Sequence, residues 1–302
     1  MAFSATDAAF EGFRVVRRRP MALVFWSLFY IAVMAAAFAV MGPNLISFVS
    51  ATEQLEQSGA TPSMEDFAPI FQMMGLLFAV MLPLGLIAGA MINAAVSRSV
   101  LRPSESAFGY LRLGMDEVRV LVVSIVLSIV FMVAMFVVSG ILGAVIGMAA
   151  AAEAPALWLV VVLLVCAGIA LFVWLLVRLS LAIPITMAER RIAIFDSFAV
   201  TKGRFWPLLG MALLAFVMSM VVGILGGLVA MPIQLATGGL AGLSDLEGES
   251  LQVLLQSAWP AIAAWVVINA IMSAMQVAVV YAPFSAAYRD IKGGEPNAAV
   301  FD

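Results

Sequence analysis

Six long apolar runs determine what this chain can fold into. They lie at about residues 21–41, 68–96, 119–148, 156–184, 206–233 and 257–285. A helix of about 20 apolar residues crosses a bilayer, so each run is long enough for one span, and the longer ones must tilt, kink or project. The composition agrees, because 65% of the residues are hydrophobic and 11% are charged, whereas a soluble domain carries about 25% charged residues. The sequence therefore predicts an all-α polytopic membrane protein with six transmembrane helices.

The basic residues predict how the spans are oriented. All 15 Lys and Arg residues fall in the N-terminal segment, in the second and fourth connections, or in the C-terminal tail. The other three connections carry acidic residues and no basic ones. Because cytoplasmic loops are enriched in Lys and Arg, we expect both termini in the cytoplasm. The first run shows no evident small-residue cleavage site, so we expect a retained helix and not a signal peptide.

An aromatic residue is followed four positions later by a cation at three places, each of which precedes two spans. The pairs are Phe10 with Arg14, Phe108 with Arg112, and Phe198 with Lys202. Residues four apart share a helix face. The pattern predicts three hairpins, each preceded by an interfacial amphipathic helix and related by an axis along the membrane normal. These pseudo-repeats cover about 4–97, 98–190 and 191–292 of one membrane domain, 1–302, with a flexible cytoplasmic tail at 293–302.

Residues 4–19 are predicted to form the first amphipathic helix, with a Ser or Thr N-cap and apolar residues at spacings of three. Either its arginines meet anionic headgroups, or the helix packs on the protein's own cytoplasmic face. The candidates for headgroup contact in the whole chain are Arg14, Arg17, Arg18, Arg19, Arg112, Arg178, Lys202 and Arg204.

Arg178 is the candidate for a functional charge within apolar sequence. Trp158 is expected near the outer surface, which places Arg178 about 30 Å further in, at the inner interface. Two interpretations are open. The arginine snorkels to the headgroups or pairs with Glu189 or Asp196, or it binds a lipid phosphate.

Two polar stripes lie within the spans. The sixth span carries Asn269, Ser273 and Gln276 on one face, and the second carries Asn93 and Ser97. A polar stripe in hydrocarbon must face protein or water. It either lines a polar path or headgroup site, or it makes hydrogen bonds between helices, and a cavity is favoured if the two stripes face each other.

Glycines recur near the outer ends of the third and fifth spans. They are Gly140, Gly143 and Gly147 in the third span, and Gly223, Gly226 and Gly227 in the fifth. Small residues four apart let helices approach closely in lipid. We therefore predict that the third and fifth spans pack against each other, with homodimerisation as the alternative.

The sequence lacks the residues of most enzyme chemistries. It has no histidine, and its one cysteine, Cys166, lies inside an apolar run. No nucleotide loop, zinc helix or nucleophile elbow is present, so we expect no enzyme activity, no cofactor and no metal. The basic residues are few and close to the membrane, which argues against nucleic acid. In the outer connections, Ser63 and Ser244 are candidate N-caps of short helices.

The central stretch resembles the membrane domain attached to some bacterial glycerophosphoryl diester phosphodiesterases, and related six-span proteins of unknown function. The resemblance is carried by Arg178, Pro184, Glu189, Ser197, Lys202, Gly203, Arg204, Phe205, Trp206, Leu209, Gly210 and the terminal Tyr288, Arg289, Asp290 and Ile291. It implies a bacterial inner-membrane location and a link with phospholipids. It does not imply hydrolysis, because the chain has neither a soluble catalytic domain nor the His and carboxylate set.

These features predict a non-enzymatic inner-membrane protein that interacts with phospholipids or organises a membrane-protein partner. The alternative is a transporter or lipid translocator with a polar path along the sixth span. A partner protein and a homo-oligomer both stay open.

Overall fold

The computed structural model of the chain describes residues 3–58, 67–152, 155–236 and 251–293. In chain order its α-helices are α1 Ala5–Ala9, α2 Glu11–Arg18, α3 Pro20–Ser58, α4 Ala68–Leu101, α5 Met115–Ala151, α6 Pro155–Leu179, α7 Ala182–Glu189, α8 Asp196–Val200, α9 Phe205–Ala236 and α10 Leu251–Gly293. A 3₁₀ turn at Ala107–Tyr110 lies between α4 and α5, and the described residues contain no strand.

Within the described residues, six segments are long and apolar enough to cross a membrane. They are Pro20–Gly42, Ile70–Leu101, Ala107–Ala151, Leu157–Glu189, Phe205–Pro232 and Ala263–Gly293. Each overlaps one of the apolar runs in the sequence. The predicted fold class, an all-α polytopic protein with six transmembrane helices, is confirmed.

Helix α3 is longer than the first predicted span. It runs to Ser58, although the connection was expected to begin at Gly42. At about 1.5 Å per residue, its 39 residues are roughly 58 Å long, against about 30 Å for a hydrocarbon core. The helix therefore projects well beyond the membrane. The predicted caps at Ser63 and Ser244 lie outside the described residues, as does the predicted tail at 293–302 except for Gly293, which ends the last helix.

Helix α10 is the centre of the bundle. Helices α3, α4 and α9 all pack on it, and α1 and α2 pack on it as well. Every fourth residue of one α10 face is an alanine, and none of these alanines is more than 1% exposed: Ala270, Ala274, Ala278, Ala282 and Ala286. Because small side chains let helix backbones approach closely in lipid, this stripe allows the other helices to pack around α10.

The elements before the three hairpins are short and unlike one another. Residues 4–19 form two helices, α1 and α2, joined at Phe10, and not one. Before the second hairpin, Phe108, Gly109 and Tyr110 have positive φ angles of 50°, 63° and 68°, so this element is a tight turn and not an α-helix. Before the third, α8 ends at Val200, and Lys202 lies beyond it. The aromatic and the cation therefore do not share a regular helix face in the second and third elements.

The first pair of helices packs on the protein itself. Ser4 caps α1, accepting a hydrogen bond from the Asp7 amide at 3.4 Å. Glu11, Gly12 and Val15 are the buried residues of α2, which lies against α10. Of the two interpretations of this segment, packing on the protein applies to its buried face. Arg17 and Arg18 lie on its exposed face.

Candidate functional site

Most charged side chains of the described residues gather at one end of the bundle, where α3 begins and α4 ends. We call it the basic end. Arg98 is buried there and 2% exposed. Its guanidinium lies 2.5 Å from the Glu117 carboxylate and donates to the Tyr110 carbonyl. Asp116 and Glu105 lie 3.9 and 3.8 Å from it. This buried ion cluster joins α4 to the start of α5.

The tight turn at Phe108, Gly109 and Tyr110 is held from two sides. Arg98 of the ion cluster donates to the Tyr110 carbonyl. Trp26 is fully buried, and its indole N–H donates to the Gly109 carbonyl at 2.7 Å. Sequence reasoning assigned Arg98 only to membrane orientation. The available signal was the opposite charge of Arg98 and Glu117 at the facing ends of two consecutive spans, which a hairpin brings together.

Several predicted headgroup-contacting arginines have carboxylate partners. Arg14 lies 3.1 Å from Asp7 and 3.3 Å from Glu11. Desolvation acts to lower the pKa of Arg14, but its hydrogen bonds to these two carboxylates outweigh it and raise that pKa. Arg112 lies 2.9 Å from Glu105. These charges are already partly neutralised within the protein.

Arg19 has a different environment from these paired arginines. Its guanidinium carbon lies 5.0 Å from the centre of the Tyr110 ring, which is a cation–π contact. This contact ties the end of α2 to the same turn that Trp26 and Arg98 hold.

Arg178 is half-buried, and among the described residues no carboxylate lies within salt-bridge distance of it. Its guanidinium donates to the Phe198 carbonyl at 3.2 Å and to the Thr201 hydroxyl at 3.4 Å. Its Nε is buried and makes no hydrogen bond to the described residues. The pairing with Glu189 or Asp196, one of the open possibilities for Arg178, is therefore not found.

Both of those carboxylates belong to another arginine. Arg191 lies 2.6 Å from Glu189 and also pairs with Asp196. The two hydrogen bonds raise the pKa of Arg191. Glu189 in addition accepts a hydrogen bond from the Tyr288 hydroxyl at 3.2 Å, so that contact links α7 to α10.

The turn that follows α8 carries two further cations. Arg204 donates to the Val200 carbonyl at 3.4 Å, and Lys202 is exposed on the turn between α8 and α9. Gly203 adopts φ +77° in that turn, a conformation that favours glycine. We call Arg178, Lys202 and Arg204 the α8 basic site.

Two buried hydroxyls fix α8 in place. The Ser197 hydroxyl donates to the Arg178 carbonyl at 2.6 Å and accepts from the Leu181 amide at 3.2 Å. It thereby satisfies backbone groups where the fourth span breaks between α6 and α7. The Thr201 hydroxyl donates to the Ser197 carbonyl at 2.7 Å. Ser197 therefore has a structural role that links the break to the α8 basic site.

The structure separates the two polar stripes. Gln276 donates to the Ser219 carbonyl of α9 at 3.4 Å, and the Ser273 hydroxyl donates to the Asn269 side chain at 3.4 Å. Asn93 and Ser97 instead line a cavity of about 350 Å³ that does not include the sixth-span stripe. The stripes do not face each other, and Gln276 makes a hydrogen bond between helices.

The glycines do not join the third span to the fifth. A Cβ added at Gly140, Gly143, Gly147 or Gly227 would meet no atom within 4 Å. At Gly223 a Cβ would lie 2.7 Å from the Gln276 side chain, and at Gly226 it would lie 2.6 Å from Met272. The fifth span therefore packs on the sixth through its glycines, and the third packs on the second and fourth.

The architecture defines an all-α, multi-pass membrane protein with a charged cluster and a half-buried arginine site at one end. No protein-family model, curated protein or solved structure matches the chain. The resemblance to the phosphodiesterase-associated membrane domain therefore stays a prediction.

Proposed function

We propose that this protein is a non-enzymatic, multi-pass protein of the bacterial inner membrane that binds the phosphate of an anionic phospholipid at the α8 basic site. In this proposal the basic end and both termini face the cytoplasm. The observation that supports it is Arg178, a half-buried guanidinium with no carboxylate partner among the described residues.

An arginine in this environment favours an anionic ligand. Removing a charge from water costs several kcal/mol unless a counter-ion compensates it. Protein groups satisfy part of the Arg178 guanidinium, through the Phe198 carbonyl and the Thr201 hydroxyl. A phosphate fits the planar guanidinium, because it can accept two parallel hydrogen bonds. Lys202 and Arg204 add positive charge, and neither has a carboxylate of the described residues within salt-bridge distance.

The aromatic residues around the site support a position at the headgroup level. Trp206 is 77% exposed and Phe195 is 69% exposed, on either side of α8. Trp174 is also exposed, and its ring centre lies 5.8 Å from the Arg178 guanidinium. Exposed tryptophans of membrane proteins concentrate at the membrane–water interface. A lipid phosphate at this level would be within reach of the α8 basic site.

The test uses the variant Arg178→Gln and measures which phospholipids remain bound to it. The full chain would be extracted into nanodiscs without detergent, and the co-purifying lipids quantified by mass spectrometry. Loss of one charge-assisted hydrogen bond corresponds to about 1.5–3 kcal/mol, so we expect the enrichment of anionic over zwitterionic lipid to fall at least about tenfold.

The matched control is Arg191→Gln. It removes one positive charge from the same end of the bundle, but this arginine already has Glu189 and Asp196 as partners. We expect its lipid enrichment to equal that of the wild type. Unchanged enrichment in the Arg178 variant, or an equal loss in both variants, would contradict the proposal.

The translocator alternative receives no comparable support. It requires a polar path along the sixth span, but Gln276 is bonded to α9, and the stripe does not line the cavity. We therefore retain lipid binding as the proposed function.

A further inference from the structure

The cavity beside Asn93 has the size and the lining of a small-molecule site. Its volume of about 350 Å³ lies within the range of about 300–1,000 Å³ that ligand pockets occupy. Residues of six helices line it, including Phe131 of α5, Ala212 of α9 and Phe284 of α10. None of the described residues that line it is charged, and its surface is mainly apolar.

One polar atom in this cavity lacks a partner. Asn93 is 8% exposed, and its Oδ1 accepts no hydrogen bond from the described residues. A buried amide oxygen without a hydrogen bond costs about 1–3 kcal/mol. The neighbouring hydroxyls are already engaged, because Ser97 bonds to Ser285 at 3.1 Å and Ser180 donates to the Val177 carbonyl at 2.8 Å. Tyr281, which carries a hydroxyl, also lines the cavity, and Asn93 Oδ1 is a buried acceptor there that no described residue satisfies.

The cavity is placed to receive a molecule from the membrane. At about 1.5 Å per residue, Asn93 lies roughly 12 Å from Leu101, the end of α4 at the basic end. This distance is less than half of a hydrocarbon core about 30 Å thick, so the cavity lies in the half of the bundle nearer the basic end. Leu176 lines the cavity and is also 56% exposed on the outer surface, so it marks the opening.

We infer that this cavity is a binding site for a neutral lipid that carries a hydroxyl group, such as a diacylglycerol or a long-chain alcohol. The hydroxyl donates to Asn93 Oδ1, and the hydrocarbon chain lies against the apolar lining. A phosphate or a carboxylate is disfavoured, since no cation lines the cavity among the described residues. The site is separate from the α8 basic site, because Arg178, Lys202 and Arg204 are not part of its lining.

The probe that tests this inference is dodecanol with a diazirine in its chain, and the comparison probe is its methyl ether, which lacks the donor. Each would be photolysed with the full chain in phosphatidylcholine nanodiscs, and the labelled peptides mapped by mass spectrometry. We expect the alcohol to label the peptides that contain the cavity residues. Unlabelled dodecanol should compete, and dodecane should compete about tenfold more weakly because it cannot donate to Asn93.

Three variants separate a hydrogen-bonded ligand from general exposure to lipid. In Asn93→Leu, cavity labelling by the alcohol should fall about tenfold, the equivalent of one hydrogen bond, and labelling by the ether should not change. In Ala212→Phe, which fills the cavity, both probes should lose the site. In Ser139→Ala, a residue outside the lining whose hydroxyl donates to the Phe136 carbonyl at 3.2 Å, labelling should match the wild type.

The two proposals fail independently. Arg178→Gln should lose anionic lipid and keep labelling by the alcohol, because Arg178 does not line the cavity. The inference would be overturned by labelling spread over the lipid-facing helix surfaces, or by alcohol labelling that Asn93→Leu leaves unchanged. Either result would mean that Asn93 binds no lipid hydroxyl.

Discussion

Gly12 is the residue at which α2 crosses the central helix. A Cβ at this position would lie 2.5 Å from the Ala278 carbonyl oxygen and 2.5 Å from Val279 Cα. Both are backbone atoms of α10, so no side-chain rotation could relieve the overlap. The close approach of α2 to α10 therefore requires glycine at position 12.

We predict that Gly12→Ala destabilises the protein by about 1–3 kcal/mol, the usual cost of overpacking a close contact. The measurement is thermal unfolding of the full chain in detergent micelles. Gly210→Ala is the control, because a Cβ there would meet no atom within 4 Å and alanine is the better helix former. A Gly12 variant that unfolds at the wild-type temperature would show that α2 does not depend on this contact.

Between elements, the strongest polar connection joins α4 to α5. Arg98 of α4 and Glu117 of α5 are both buried, with 2% and 6% exposure. Arg102 adds a second link, 2.8 Å from Asp116, and also donates to the Met187 carbonyl of α7. The second and third spans, which belong to different hairpins, are thus tied to each other and to the fourth span at the basic end.

We expect Glu117→Ala to be among the most damaging substitutions in the chain. It leaves the buried Arg98 guanidinium with carboxylates no closer than 3.8 Å, and breaking a buried pair typically costs about 3–5 kcal/mol. The double variant Arg98→Met with Glu117→Leu should recover much of this loss, because it removes both charges. Denaturant unfolding of the single and double variants measures the recovery.

An exposed pair provides the control for the Glu117 prediction. Asp196→Ala removes a partner of Arg191, whose side chain is 57% exposed, so solvent should screen the loss and stability should change little. Equal stability losses in the Glu117 and Asp196 variants would refute a special role for the buried pair.

The sequence predicts where the helices lie better than it predicts which helices pack together. The six spans follow from apolar length alone, because the bilayer requires about 20 apolar residues whatever their neighbours are. The helix that packs against a given glycine cannot be predicted from apolar length. Gly223 and Gly226 indicate that the fifth span has a close neighbour, but that they meet Gln276 and Met272 of α10 follows only from the tertiary structure.

The candidate sites show the same limit. Arg98 and Arg178 are both arginines near the end of a span, and the orientation rule explains the two equally well. Tertiary contacts distinguish them, because Glu117 neutralises Arg98, and Arg178 meets the α8 backbone. Asn93 was predicted from its stripe with Ser97, but the cavity beside it depends on residues from six helices and has no local signal.

For the whole molecule, charge is divided between two ends. The basic residues of the described segments lie at the end where α3 begins, and α3 carries Ser58 to the opposite side of the apolar core. Ser104 lies in the connection between α4 and α5, at the basic end, and is exposed. The two serines therefore report the orientation of the entire bundle.

A single-cysteine experiment tests that orientation. Cys166→Ala removes the native thiol, which is exposed on α6, and a cysteine is then introduced by Ser58→Cys or by Ser104→Cys. Because basic loops are retained on the cytoplasmic side, an impermeant thiol reagent should label the Ser58 variant in intact cells. The Ser104 variant should react only after the membrane is permeabilised. The opposite pattern would place the α8 basic site on the outer face, where the proposed inner-leaflet headgroup could not reach it.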